Sequence, residues 1–153
     1  MNNTHKSSSL EQQLAEKELL AGFAKEHNLK QTAVDFVTNF SIQPDGIFEK
    51  EDKKLILVEV YAHQGALKPA QRNKICTDML KLITAQKFLR DKGIDTEIWI
   101  LLACEEAKRH FEGKSWHHAV VDSFGIHLEV GKLSDITIQK LKEAQRRQQM
   151  INA

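Results

Sequence analysis

The rhythm of apolar and polar positions divides the chain into helix-like and strand-like stretches. Over residues 10–27 apolar side chains recur at helical steps, and Leu10, Leu14, Leu20 and Phe23 form much of the expected buried side. Ser9 with Gln12 three residues on has the form of a capping box at its start. Residues 32–40, rich in Val, Phe and Thr, predict a strand. Gln43-Pro44-Asp45-Gly46 signals a turn, after which Ile47 and Phe48 lead into a charged hairpin over 49–54. The run Leu55-Ile56-Leu57-Val58-Glu59-Val60 is continuous rather than alternating, the pattern of a strand buried on both faces. Pro69 suits the first turn of a long helix that Gly93 stops, with Ile75, Met79, Leu82, Ile83 and Leu89 on its apolar face. A strand over 97–103, helical pieces over 105–111 and 115–124, a strand over 126–130 and a helix capped by Ser134 complete the order. Strands and helices interleave with no internal repeat. The expectation is one three-layer α/β domain over 10–150 with a mixed central sheet, preceded by a polar tail over 1–9.

Composition adds little to this picture. The chain has 153 residues, 41% apolar and 28% charged, with a net charge of +1, so a globular domain is expected and the overall charge selects no partner. Cys76 and Cys104 form no CxxC pair and no zinc-ligand spacing, which fits a reducing, cytoplasmic setting. The first nine residues have no apolar core of a signal peptide, and no apolar run approaches the roughly 20 residues of a membrane span.

The chemistry lies where a carboxylate interrupts the most apolar strand. Thirteen residues separate Asp45 from Glu59, enough for a hairpin that carries one acid at a bend and the other inside the next strand. Two carboxylates with a backbone carbonyl suit a hard octahedral cation such as Mg²⁺ or Mn²⁺. In the following helix Gln71, Lys74 and Asp78 share one face. Residues 68–92 carry seven Lys or Arg, Lys68 and Arg72 among them, against two Asp, a local excess suited to a phosphate backbone. Lys140, Lys142, Arg146 and Arg147 give the last helix a second such surface. His63 stands close to the expected site mouth. His110, His117 and His118 make a poor metal set, because adjacent histidines on a helix point in different directions.

Pro44-Asp45 at a strand start, followed by Glu59-Val60-Tyr61 on the next strand within an α-β-β-β-α-β order, resembles the PD-(D/E)XK (restriction-endonuclease-like) nucleases. The resemblance implies Mg²⁺-dependent hydrolysis of phosphodiester bonds, in DNA before RNA. Asp45, Glu59 and the Val60 carbonyl would hold the metal, with Glu16 of the first helix as a further ligand. The family's motif lysine falls at Tyr61. Its role passes to Lys74, with Lys68 as the second choice. Tyr61, His63, Lys68, Gln71 and Arg72 are then the expected nucleic-acid contacts. A homodimer is the implied assembly, since small members pair to cut both strands. The displaced lysine also admits a catalytically inactive member that binds nucleic acid or protein.

Overall fold

A computed structural model describes residues 10–35 and 40–151. It is an α/β fold with a five-stranded mixed sheet in the order β1-β2-β3-β4-β5. Helix α1 is Leu10–Glu26, followed by β1 (Lys30–Gln31), β2 (Gly46–Glu49) and β3 (Leu55–Tyr61). Helix α2 (Pro69–Asp91) then crosses to β4 (Thr96–Leu102), and α3 (Glu105–Lys108), a 3₁₀ turn (Arg109–Phe111) and α4 (Trp116–Ser123) lead to β5 (His127–Val130) and α5 (Asp135–Ile151). Strands β1, β2 and β3 pair antiparallel, whereas β3, β4 and β5 run parallel.

Strand β3 sits in the middle of the sheet, and its alternation feeds two cores. Leu55 and Leu57 point toward Ile75, Met79, Leu82 and Leu89 of α2, together with Ile98, Ile100 and Leu102 of β4 and Phe111. Ile56, Val58 and Val60 point the other way, toward Ala15, Leu19 and Phe23 of α1 and Leu141 of α5. Helices therefore cover both faces, and the three-layer expectation holds. An apolar run is what a central strand covered on both faces demands, since neither face meets water.

The buried side of α1 differs from the reading of its sequence. Leu10 and Leu14 are 68% and 52% exposed, whereas Ala15, Leu19 and Phe23 are buried. The helix packs through a narrow stripe, and its small Ala15 brings the backbone close to the sheet. The strand expected over 32–40 is also shorter and earlier. Pairing covers Lys30 and Gln31 and continues only to Thr32, whose N–H reaches the Ile47 carbonyl at 3.0 Å. Beyond it, residues 33–35 belong to no strand, so β-branched composition alone does not sustain one through Asp35. The remainder of that stretch, like Ser9, lies outside the described residues, apart from Phe40.

Helix α2 carries its own boundaries. The Gln71 side chain turns back so that its Oε1 accepts the Lys68 N–H at 2.8 Å, and Pro69 occupies the first helical position. At the other end Gly93 has φ +79°, and its N–H and that of Ile94 bond back to Arg90 and Leu89. Among the described residues no helix is long and apolar enough to cross a membrane.

Gly46 marks the closest approach near the hairpin start. A methyl group there would meet the Phe48 ring at 2.7 Å and Leu20 at 3.0 Å. Phe48 is buried, so its ring has little room to yield. Gly46→Ala is expected to destabilise the fold by about 1–3 kcal/mol, as overpacking commonly does. Urea unfolding measures this, and an unchanged midpoint would show that Phe48 repacks freely.

Candidate functional site

Asp45 lies one residue outside the β2–β3 ladder, whose last pair is Gly46 with Val58. The chain bends there, and the Asp45 Oδ2 accepts the Val60 N–H at 2.9 Å. A side-chain oxygen thus takes the place of the strand carbonyl that β2 no longer supplies. The same bend holds the Asp45 carboxylate beside Glu59. Within an antiparallel ladder a residue exchanges its N–H and C=O on the same edge, so the Val60 carbonyl belongs to the Asp45 side of β3.

The two acids line a cleft of about 300 Å³, together with Gln12 and Glu16 of α1, His63 and Leu67 of the loop after β3, and Gln71 and Lys74 of α2. Burial raises the pKa of Glu59 to about 9, and a hydrogen bond with Asp45 and the charges of Asp45 and Asp78 add to the effect, with Lys74 opposing. Burial also raises Glu16, reinforced by Asp45 and opposed by Lys74 and by a hydrogen bond to Gln12. The cleft is therefore an acidic pocket with one lysine in its field.

Tyr61 occupies the expected lysine position. Its hydroxyl donates to Asp78 Oδ2 at 2.6 Å, and burial, then this bond, push its pKa up. Lys74 donates to the same oxygen at 3.1 Å, lies 5.7 Å from the centre of the Tyr61 ring, and keeps a side chain 71% exposed. Lys81 sits 3.8 Å from the other oxygen of Asp78. Lys74 thus reaches the cleft wall while tied to Asp78.

The expected nucleic-acid contacts separate into two groups. His63 and Gln71 line the cleft, and Gln71 Nε2 meets His63 Nδ1 at 3.2 Å. Burial lowers the pKa of His63, a hydrogen bond to the Ala66 backbone opposes this, and Lys68 adds to the lowering. The ring is thus engaged at the mouth. Lys68, Gln71 and His63 continue into an adjoining hollow with Gln145, Gln148 and Gln149 of α5. Arg72 is not among the residues of the cleft wall; it faces His110 instead. His118 is spent on structure, with Nδ1 at 2.8 Å from the Phe111 carbonyl.

Glu16, Asp45 and Glu59 share the cleft without all three closing into a tight ligand set. The group of three potential ligands whose atoms lie within 4.8 Å of one another, among the described residues, is Glu26, His27 and Glu129. There, His27 Nε2 contacts Glu129 Oε1 at 2.7 Å, a pair that joins the end of α1 to β5. Sequence reading also missed Gln12, although its i, i+4 spacing from Glu16 puts both on one helix face. Gln145 was missed for want of any local signal. It bonds reciprocally to the Gln64 backbone, accepting its N–H at 3.1 Å and donating to its carbonyl at 3.3 Å.

No family model, curated protein or solved structure matches this chain.

The raised pKa of Glu59 has a consequence for stability. Below the unfolded-state value of 4.5, folded and unfolded chains both hold the proton and the contribution is complete. Between 4.5 and about 9 the unfolded chain loses the proton first, so stability falls as pH rises through this window. The metal-free protein should lose melting temperature from pH 5 to pH 9. Glu59→Gln, which cannot ionise, should melt higher near pH 8 and show a flatter profile. Identical slopes for the two proteins would place the titrating group elsewhere.

Proposed function

We propose that this protein is a divalent-metal-dependent nuclease that hydrolyses phosphodiester bonds, with DNA preferred to RNA as substrate. The observation that carries the reading is the convergence of Asp45 and Glu59 at the end of one hairpin, in a cleft that also holds Glu16 and Lys74. A cluster of acids in a cleft repels a phosphodiester unless a cation intervenes, and oxygen donors of this kind suit Mg²⁺ or Mn²⁺. Asp45 and Glu59 would hold the ion with the Val60 carbonyl, and Glu16 stands ready as a further donor. When bound, such an ion polarises a phosphoryl oxygen and lowers the pKa of a coordinated water.

The chain's own groups supply the remainder. Lys74 contributes positive charge where the phosphoryl oxygens gain negative charge in the transition state. Asp78 positions Lys74, and Tyr61 fixes Asp78 through its hydroxyl. In this arrangement Tyr61 is a positioning residue, and the lysine it replaces on the strand is recovered from the helix. Gln71 and His63 shape the mouth, where Lys68 meets the approaching phosphate backbone. The PD-(D/E)XK resemblance supports the same assignment.

A second reading, a catalytically inactive module that binds nucleic acid, is favoured by one feature. Lys74 is already engaged by Asp78, so its charge is partly answered before any substrate arrives.

Two measurements separate the readings. Asp45→Ala and Glu59→Ala should each abolish Mn²⁺ binding seen by calorimetry; tight binding retained in both would remove the metal from this cleft. Lys74→Ala should lower single-turnover cleavage by about 10²-fold or more, with little change in DNA affinity in Ca²⁺. Lys81→Ala is the control. Equal small losses in both would demote Lys74, and a wild type inert on DNA and RNA with either metal would favour the inactive module.

A further inference from the structure

Glu26 and His27 stand at the carboxyl end of α1, where about 15 Å of helix axis separates them from Glu16 of the cleft wall. The chain leaves the helix through a left-handed turn. Asn28 has φ +53°, its N–H bonds to the Lys25 carbonyl, and the Leu29 N–H bonds to the Ala24 carbonyl. This closure fixes the backbone that carries Glu26 and His27. The His27 ring is held as well, packed on Phe23 at 4.6 Å and on Trp99 at 5.0 Å between ring centres. Trp99 of β4 pairs with His127 of β5, and Glu129 follows His127 on the same face of that strand. Nε2 of His27 thereby meets Oε1 of Glu129 at 2.7 Å.

Glu26, His27 and Glu129 each place a potential ligand atom within 4.8 Å of the other two. The group lies at the surface: Glu26 is exposed, and the His27 and Glu129 side chains are 27% and 21% exposed. An ion and its waters have open access. Two carboxylates this close repel unless a cation answers them. Among the described residues neither acid forms an ion pair with a lysine or arginine, Lys25 of the same turn included. His27 supplies charge only when protonated. The carbonyl end of a 17-residue helix adds further negative potential.

We propose that Glu26, His27 and Glu129 form a site for a divalent cation of the zinc class, which clamps the end of α1 to the edge strand β5. An imidazole nitrogen among carboxylate oxygens suits Zn²⁺, whereas Mg²⁺ takes oxygen ligands. The ion takes the place of the proton that His27 and Glu129 share. A neutral His27 ring then carries its proton on Nδ1 and offers the Nε2 lone pair. Ligands bound to a tetrahedral zinc ion stand roughly 3.4 Å apart. The exposed Glu26 side chain closes the remaining gap, and water fills the open position. The site takes nothing from the nuclease reading.

The test uses the untagged full chain with Zn²⁺ or Co²⁺ alone. Titrations are run on the wild type and on Asp45→Asn/Glu59→Gln, which removes the charges of the cleft. Calorimetry should find one Zn²⁺ site that survives in the cleft variant. Glu129→Gln should abolish it. His27→Phe should abolish it too, and that variant keeps a ring against Phe23 and Trp99 should Glu129→Gln fail to fold. Zn²⁺ should raise the Tm of the wild type and leave that of His27→Phe unchanged. The chain has two tryptophans, so Trp116→Phe leaves Trp99 alone, and Co²⁺ should quench its fluorescence. Zn²⁺ binding retained in both Glu129→Gln and His27→Phe overturns the site, as does Co²⁺ that leaves Trp99 emission unchanged. Zn²⁺ binding lost in the cleft variant and kept in His27→Phe also overturns it and assigns the ion to Asp45 and Glu59.

Discussion

The hydrogen bond from the Val60 amide to the Asp45 carboxylate ties the bend before β2 to the strand that carries Glu59. At that point β2 has ended, and the next N–H of β3 on this edge would otherwise lack an acceptor in a largely buried setting. A buried amide without a partner costs about 1–3 kcal/mol, and the carboxylate removes that cost. In doing so it is held at a fixed place beside Glu59. Structural need and chemical opportunity coincide in one side chain, and the bend after Pro44 makes both possible. Gly46, which has no side chain, leaves the space that Leu20 of α1 and the Phe48 ring occupy beside the bend.

The acids do not act as independent groups. Glu59 projects from the α2 face of β3, in line with Leu57 and Tyr61, and the helix facing it supplies Asp78 and Lys74. The positive charge at this site comes from the helix, and the Tyr61 hydroxyl ties strand to helix through the Asp78 oxygen that Lys74 also meets. The lysine's distance from the carboxylates therefore depends on how α2 seats on the sheet, which Ile75 and Met79 secure. The core beneath the cleft and the electrostatics within it are thus set by the same helix–sheet contact.

Much of this was legible in the amino-acid order. The aliphatic run around Glu59 identifies a central strand, and a charge inside it asks for a partner; the turn residues before Gly46 point to Asp45. The periodicity of α2 places Gln71, Lys74 and Asp78 together. What stayed hidden depended on partners distant in sequence. Residues 33–35 continue a stretch of strand-forming composition yet belong to no strand, and α1 buries Ala15 and Leu19 where spacing alone also admitted Leu10 and Leu14.

The reciprocal pair between Gln145 and the Gln64 backbone bears on the order in which the cleft is assembled. The side-chain amide of Gln145 behaves as a borrowed peptide unit, donating and accepting across 81 positions of sequence. The hairpin that carries Asp45 and Glu59 is a short-range structure, whereas this clasp closes a very long loop. Contacts of large sequence separation bear the greater entropy of closure. The acids are thus joined by a local contact, whereas the loop beside them is fastened by one that requires α5 to be docked. A chain emerging from the ribosome would present every residue of the hairpin well before Gln145, which fastens the loop beside the cleft, had been made.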